Sequence, residues 1–493
     1  MLHLFLSAFS TVLHPSILFL VLLGVGIGIF FGAIPGLSTT MAIALCLPLT
    51  FSMNTNMGIS LLLGLYIGGF SGGLVAAILL NVPGTAASIA TTIDGYPMAK
   101  KGYAGKALGL GICSSFVGGM LSICALIFIS PALAKIAIRF GSFEYFSLML
   151  FALTMIITMS SKNIIRGIIS GFLGILLAMI GGAPIDGIPR LTFGITSLSN
   201  GFNLVAVLIG IFAVSELFLY VDEKSEHLVK KIVKKLSFKG FGFSFKEWKQ
   251  ETGNIFRSSA IGVLIGILPG IGGALASMMS YDIARRSSKT PEIFGTGCNQ
   301  GIVASETANN AAIGGAMIPL LSLGIPGDAV TALLLGAMTM QGLTPGPLLF
   351  RNNTSLIYLI FAILITANIF MIVVEFFAIR GFVHVLSLPK HILLPFISLL
   401  CIIGAYGLNY RIFDVFTIFL FGILGFFMKK WHFSTQPFII GYIIGPLAEL
   451  YLRRGLSYSD NSLIPFFTSP ISLFFILASI ASIIFVMLKH KKA

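Results

Sequence analysis

A chain of 493 residues of which 56% are hydrophobic and only 10% charged cannot clothe a water-soluble globule, which carries about 25% charged residues. Its net charge of +14 is scattered between apolar runs, as in loops held on the cytoplasmic side of a membrane, and this argues against nucleic acid as a partner. The apolar runs do not alternate, which argues against a β-barrel, and the five cysteines (Cys46, Cys113, Cys124, Cys298 and Cys401) share no metal-ligand spacing.

The first 93 residues contain no Asp, Glu, Lys or Arg; Asp94 is the first. Without the basic region of a cleavable signal peptide, the N-terminus is expected to be an uncleaved segment, or an interfacial one as far as the His14-Pro15 turn. Apolar segments follow near 16–51, 57–80, 104–134, 145–161, 167–183 and 201–220. The polar, lysine-rich stretch 222–257 reads as a cytoplasmic linker, partly an amphipathic surface helix. Beyond it lie apolar segments near 257–281, 300–325, 328–350, 354–379, 391–410, 412–428, 433–450 and 465–488. Several are too short or too interrupted to cross a bilayer. The expected fold is an all-α polytopic membrane protein of about 12 transmembrane helices plus broken or re-entrant helices. Its first repeat would occupy 1–221 and its second 258–493, either side of the linker.

Two structurally related halves are visible in the sequence. "GAIPGLSTTMAIA" resembles "GILPGIGGALASM", with Pro35 and Pro269 offset by 234. "GGLVAAILLNVPGTAAS" resembles "GGAMIPLLSLGIPGDAV", with Pro83 and Pro326 offset by 243. The connection after the first element is uncharged in half one but carries Arg285, Arg286 and Lys289 in half two; after the second element the charge bias reverses. Opposite bias on corresponding loops favours inverted repeats. One conflict remains: if 257–281 crosses once from a cytoplasmic linker, Arg285 lands outside, unless that segment is re-entrant.

Helices broken at mid-membrane suit an ion and an anion. Proline removes a donor and clashes with the preceding turn, glycine lets the chain unwind, and a freed helix N-terminus attracts a carboxylate. The candidate substrate-binding residues are Pro35, Gly36, Pro83, Gly84, Pro269, Gly270, Gly272, Gly273, Pro326 and Gly327, with the hydroxyls of Ser38, Thr39, Thr40, Thr85 and Ser88. Asp328 is either a helix cap or a member of the site. Glu306, Asn309 and Asn310 offer oxygens for Na⁺ or a protonatable group for ion coupling, unless Glu306 caps its helix at the interface. Glu375 is expected to pair near the interface, with Arg380 five residues on. No HExxH, paired-carboxylate, Ser-His or GxxxxGK[ST] arrangement is present, so an enzyme is not expected, nor any cofactor beyond a possible Na⁺. A channel-like protein or a stand-alone permease for a less charged solute is the alternative to a carrier; a channel places its filter in a symmetric oligomer, whereas here the repeat is internal.

The segments "GAIPGLSTTMAIALCLPLTF", "AILLNVPGTAASIATTIDGYPMAKKG", "GILPGIGGALASMMSYDIARRSSKTPEIFG" and "ETANNAAIGGAMIPLLSLGIPG…GLTPGP" resemble the large membrane subunit of the tripartite tricarboxylate transporters. The resemblance covers most of residues 20–350. It implies a multi-pass secondary carrier of the bacterial inner membrane that takes up tricarboxylates or dicarboxylates with Na⁺ or H⁺. It also implies two partners, a small four-helix membrane subunit and a periplasmic solute-binding protein. By the same resemblance Asn81, Glu306, Asn309, Asn310 and the four Pro-Gly pairs match the substrate and ion region. Asp328 stands where the family pattern has a small or hydroxyl residue, which favours a smaller or less charged solute over citrate, because two carboxylates repel in low dielectric.

Overall fold

The computed structural model describes residues 2–159, 164–222, 242–270, 272–385 and 390–491. Residues 223–241, most of the expected linker, lie outside these. The described chain is almost wholly helical. Its first half holds α1 Leu2–Val12, α2 Pro15–Ala33, α3 Thr39–Cys46, α4 Thr55–Leu80, α5 Ile89–Met98, α6 Ala104–Ala137, α7 Ser142–Met159, α8 Ile164–Ala178, α9 Leu204–Ile209 and α10 Ser215–Asp222. The second holds α11 Phe245–Gln250, α12 Thr252–Ile267, α13 Gly272–Ser287, α14 Asn299–Leu323, α15 Ala329–Met340, α16 Pro347–Asn352, α17 Thr354–Val385, α18 Lys390–Asn409, α19 Ile412–Lys430, α20 Thr435–Tyr458, α21 Ile464–Thr468 and α22 Pro470–Lys491. A two-residue hairpin pairs Gly181–Gly182 with Pro189–Arg190.

Five of these helical stretches are long and apolar enough to span a bilayer: Pro15–Ala33, Thr55–Leu80, Ala86–Ala137, Thr354–Phe377 and Ile412–Lys430. Shorter apolar helices accompany them, so this is a helical membrane protein. The long apolar segment expected at 16–51 splits at Pro35 into α2 and α3, and the one at 328–350 splits into α15 and α16. In the stretch read as linker, Ser244 and Glu247 form a capping box that starts α11. Because α12 begins at Thr252, helix already occupies the last residues assigned to that linker.

The core is built on α4 and α14. Both are enclosed all round: residues 58–79 and 301–322 are continuously buried, as in a helix with no solvent face, and α14 carries Glu306, Asn309 and Asn310 into that interior. Helix α2 lies against α4 through matched glycines. A methyl group at Gly28 would meet Leu65 O at 2.5 Å, and one at Gly68 would meet Val25 O at 2.2 Å. Small residues let the backbones touch in a medium that gives no hydrophobic drive to pack. In the second half α12 meets α14 the same way, with Gly262 against Ala308 O and Gly266 against Ala312 O, both at 2.5 Å.

One end of the molecule is polar. Asn254, in the first turn of α12, donates to Gln300 O at the start of α14 at 3.0 Å. Tyr281, near the end of α13, donates to Asp94 at 2.9 Å. Helices α12 and α13 therefore go in and return to one end. There Lys106 pairs with Glu247; its hydrogen bond, with a lesser one from the Ser244 N–H, draws the Glu247 carboxyl down to about 2. At the other end a cavity of about 450 Å³ is lined by Phe51, Met53, Asn54, Met340, Gln341 and Leu408, where the connections 47–54 and 341–346 are uncharged and the one after Leu408 carries Arg411.

Candidate functional site

All four sequence-marked breaks are present. In half one, α2 gives way to the turn at Pro35-Gly36 (Gly36 φ +88°), and Ser38 caps α3 by accepting from Met41 N at 3.1 Å. Helix α4 stops at Asn81, which takes a left-handed conformation, and the chain passes Pro83-Gly84 into a short 3₁₀ turn, Ala86–Ser88, that leads into α5. Half two repeats this. Gly270 (φ +81°) turns between α12 and α13, and Gly324 (φ +72°) ends α14 before Pro326-Gly327 and α15. Two glycines are required by contact. A methyl group at Gly84 would stand 2.2 Å from Gly32 O, and one at Gly327 would stand 2.6 Å from Ala316 Cα and 2.9 Å from Gly266 O. Since Gly32 corresponds to Gly266 in the repeat, one close approach is built twice.

The two pairs of turns differ in access. Gly36, Asn81 and Val82 are exposed, whereas Pro269, Gly270, Pro326, Gly327 and Asp328 are buried. The second pair is tied by a hydrogen bond from Gly270 N to Gly327 O at 2.6 Å. In the first pair, Thr39 stands against Gly69 and Thr85 against Gly73. Those glycines are one turn apart on α4, so the starts of two helical elements meet along one stripe. The Oγ1 atoms of Thr39 and Thr85 are buried there and neither hydroxyl finds an acceptor; Thr85 Oγ1 stands at the cap of the 3₁₀ turn, toward Ser88 N. Ser38 and Thr40 bond each other at 2.8 Å, and Ser88 donates to Thr85 O at 2.9 Å.

In half two the residue in the place of Thr85 is Asp328, and its carboxylate is saturated. It caps α15 by accepting from Thr331 N at 2.7 Å and from the Thr331 hydroxyl at 2.8 Å, and Tyr66 donates to it at 2.7 Å. Gly272 (φ +64°), the first residue of α13, lies directly over it, since a methyl there would sit 3.2 Å from Asp328 Cβ. The carboxylate thus occupies the meeting point of two helix N-termini, where partial positive charge stabilises an anion.

Glu306 lies two turns inside α14, fully buried; the residue at the helix cap is Cys298. The acid accepts from the hydroxyls of Thr91 on α5 and Ser115 on α6, the latter at 3.1 Å. Asn310 Nδ2 donates to Glu306 O at 3.2 Å and Asn309 Nδ2 to Phe70 O at 3.3 Å. The Oδ1 atoms of both amides are buried and unpartnered, and Asn309 Oδ1 faces Gly273. Buried amide oxygens of this kind are rare and are the atoms a monovalent cation would use. Among the described residues no three His, Cys, Asp or Glu side chains gather as for a transition metal.

Several important residues had no mark in the sequence, or one that did not reveal their partners. Tyr66 and the glycine stripe Gly69–Gly73 are invisible in an unbroken apolar run. Asp94 accepts from Gly295 N, Gly297 N and Cys298 N at 2.9, 2.8 and 2.7 Å, besides Tyr281, and so pins the α13–α14 connection to α5. Glu375 is fully buried and bound by Ser71 at 2.9 Å, not paired at an interface.

Residues 18–440 match the tripartite tricarboxylate transporter TctA family. An uncharacterized 52.8 kDa protein in the TAR-I ttuC' 3' region of Agrobacterium vitis is 35% identical over 480 residues, spanning 97% of this chain and 95% of that protein. An uncharacterized protein in the TAR-II ttuC' 3' region of the same organism is 38% identical over 211 residues, 43% of this chain and 87% of that protein. No solved structure matches. Duplicated Pro-Gly breaks at 35, 83, 269 and 326 all fall inside a match that runs nearly the full length, and the chain belongs to the tripartite tricarboxylate transporter TctA family as a membrane component of such a transporter.

Proposed function

We propose that the chain is the carrier subunit that imports a small organic carboxylate across the bacterial inner membrane, driven by a Na⁺ or H⁺ gradient and working by alternating access. A periplasmic binding protein would deliver the solute, and a small four-helix subunit would complete the membrane part. The observation that carries this reading is the pair of unpartnered threonine hydroxyls, Thr39 and Thr85, where the starts of two helical elements meet over α4. Hydroxyl donors and freed N–H groups are what a carboxylate needs away from water. The neighbouring Glu306, Asn309 and Asn310 supply oxygens for the cation.

The contacts also support inverted repeats. Gly58 at the start of α4 faces Gln341, and Gly324 at the end of α14 faces Pro345 in the same loop. At the opposite end, Ile78 of α4 packs on Gly95, and Gly301 at the start of α14 faces Asp94. Equivalent helices therefore run in opposite directions. With α12–α13 re-entrant, Arg285 returns to the side of the basic stretch, and the charge conflict disappears. The uncharged connections 47–54 and 341–346 beside the 450 Å³ cavity then face the periplasm. About twelve crossings, counting the shorter apolar helices, accommodate this arrangement.

Asp328 favours a solute with fewer carboxylates than citrate, since one anion position is filled from within. The test is uptake of labelled citrate, succinate and malate into membrane vesicles holding all three components, with and without an imposed Na⁺ gradient. Saturable, gradient-dependent uptake is expected; flux that neither saturates nor follows any gradient would indicate a channel.

A further inference from the structure

Glu375 takes no part in the site described so far, although it is buried in the same core. It lies in the apolar span Thr354–Phe377, with its side chain wholly enclosed. One oxygen, Oε2, accepts from Ser71 Oγ at 2.9 Å; the other, Oε1, has no hydrogen-bond partner. Two turns earlier on the same face of α17, Asn368 donates Nδ2 to Phe116 O at 2.8 Å and leaves Oδ1 buried and unpartnered. The titratable groups that act on Glu375 are Cys113 on α6 and Glu306 on α14. Helix α4 contributes Ser71. Helices α1, α2 and α16 also pack on α17, and among the described residues no cation pairs with Glu375 on any of these elements.

From this geometry we infer that Glu375 is a proton-binding group of the transport cycle, taking up and releasing one proton at Oε1. The inference rests on the carrier reading above and adds a second acid to it. A carboxylate enclosed in an apolar span with one hydroxyl donor is costly as an anion and inexpensive as a neutral acid. Glu306 is equally enclosed but accepts from two hydroxyls, Thr91 and Ser115, so a charge there is better supported than on Glu375. Two acids in one core with unequal donor sets are an arrangement in which they exchange protons at different points of a cycle. The exchange needs only water. Hydronium gives its proton to the carboxylate as the O–H bond forms, and the reverse step returns it on the other side. Ser71 follows Phe70, whose carbonyl holds Asn309, so one turn of α4 touches both the proton-binding acid and the amide cluster.

The first test needs no solute. The full chain in lipid vesicles is followed by infrared spectroscopy across pH. A protonated-carboxyl band that titrates is expected, lost in Glu375→Gln and restored with a shifted midpoint in Glu375→Asp, with each variant first shown to be monodisperse. Persistence of the whole band in Glu375→Gln overturns the proposal. The second test uses vesicles with the partner subunits and labelled succinate or malate under an imposed pH gradient. There Glu375→Gln is expected to lower gradient-driven uptake about tenfold or more, and Ser71→Ala to move its pH midpoint. An unchanged pH response in Glu375→Gln overturns it even if the band is lost. If the unmodified complex moves neither solute, the reading of dicarboxylate transport fails, and the infrared result alone decides for or against Glu375.

Discussion

In the first half the turns at Pro35 and Pro83 leave Gly36, Asn81 and Val82 exposed and two threonine oxygens empty. In the second the turns at Pro269 and Pro326 are buried, tied backbone to backbone, and filled by Asp328. The backbone design is the same, down to the close approach of Gly84 to Gly32 and Gly327 to Gly266. What differs is the side chains: threonine at 85 against aspartate at 328, and Ser38, Thr39 and Thr40 against Gly272, Gly273 and Ala274. A helix N-terminus in an apolar medium needs an anion or a donor-rich environment. Half two supplies its own carboxylate; half one leaves two threonine hydroxyls in its place. The difference teaches that duplication fixes the backbone turns, while the side chains placed on them decide whether the chain itself supplies the charge.

The comparison can be broken most severely at its shared backbone. Gly84→Ala and Gly327→Ala should each cost about 1–3 kcal/mol or more by overpacking, read as loss of monodisperse protein and of uptake; if both are tolerated, the close approach is not required. A smaller effect falls on function alone. Thr39→Val removes an unpartnered hydroxyl, so thermal stability should be unchanged or higher, while uptake at low solute drops about tenfold through loss of a hydrogen bond to a charged group. Stability and uptake falling together would make Thr39 a packing residue. Asp328→Asn retains a helix cap but removes the resident charge, and should move the preference among succinate, malate and citrate toward citrate; no change in preference would remove Asp328 from solute selection.

The least effect concerns the tie between halves at the polar end. The Glu247 carboxyl is drawn down to about 2 chiefly by Lys106, so its contribution to stability is present above the ordinary glutamate range and lost as pH falls from about 4.5 toward about 2. For a pair this open to solvent the contribution is under about 1 kcal/mol. Lys106→Gln should flatten that part of the pH–stability curve, measured by thermal unfolding in detergent; an unchanged curve would show that the pair contributes nothing.

The breaks themselves were legible because proline and glycine act locally and leave a mark at fixed spacing. The apolar segments were legible for the same reason, though their ends were not. The run at 328–350 conceals the break between α15 and α16, and α12 starts inside what composition assigns to a linker. What surrounds the breaks was not legible. Thr39 and Thr85 meet because Gly69 and Gly73 fall on one face of α4, a helix buried on every side whose sequence gives no face priority. Asp94 stood out as the first charge in the chain, yet its partners lie some 200 residues away. Glu375 looked like a residue for an interface because Arg380 is near it in sequence, while its partner Ser71 is 304 residues distant. Long-range contacts between helices have no periodic signature.

The broken helices pack across the chain: α13 rests on the turn before α5, and α3 rests on α15. Each piece of the first half is therefore completed by a piece of the second. During synthesis α3 and α5 find α4 within the first half, but the faces that meet α15, α13 and α14 stay open until residues near 340 have been translated. A mutation at 328 would be felt by residues made hundreds of codons earlier.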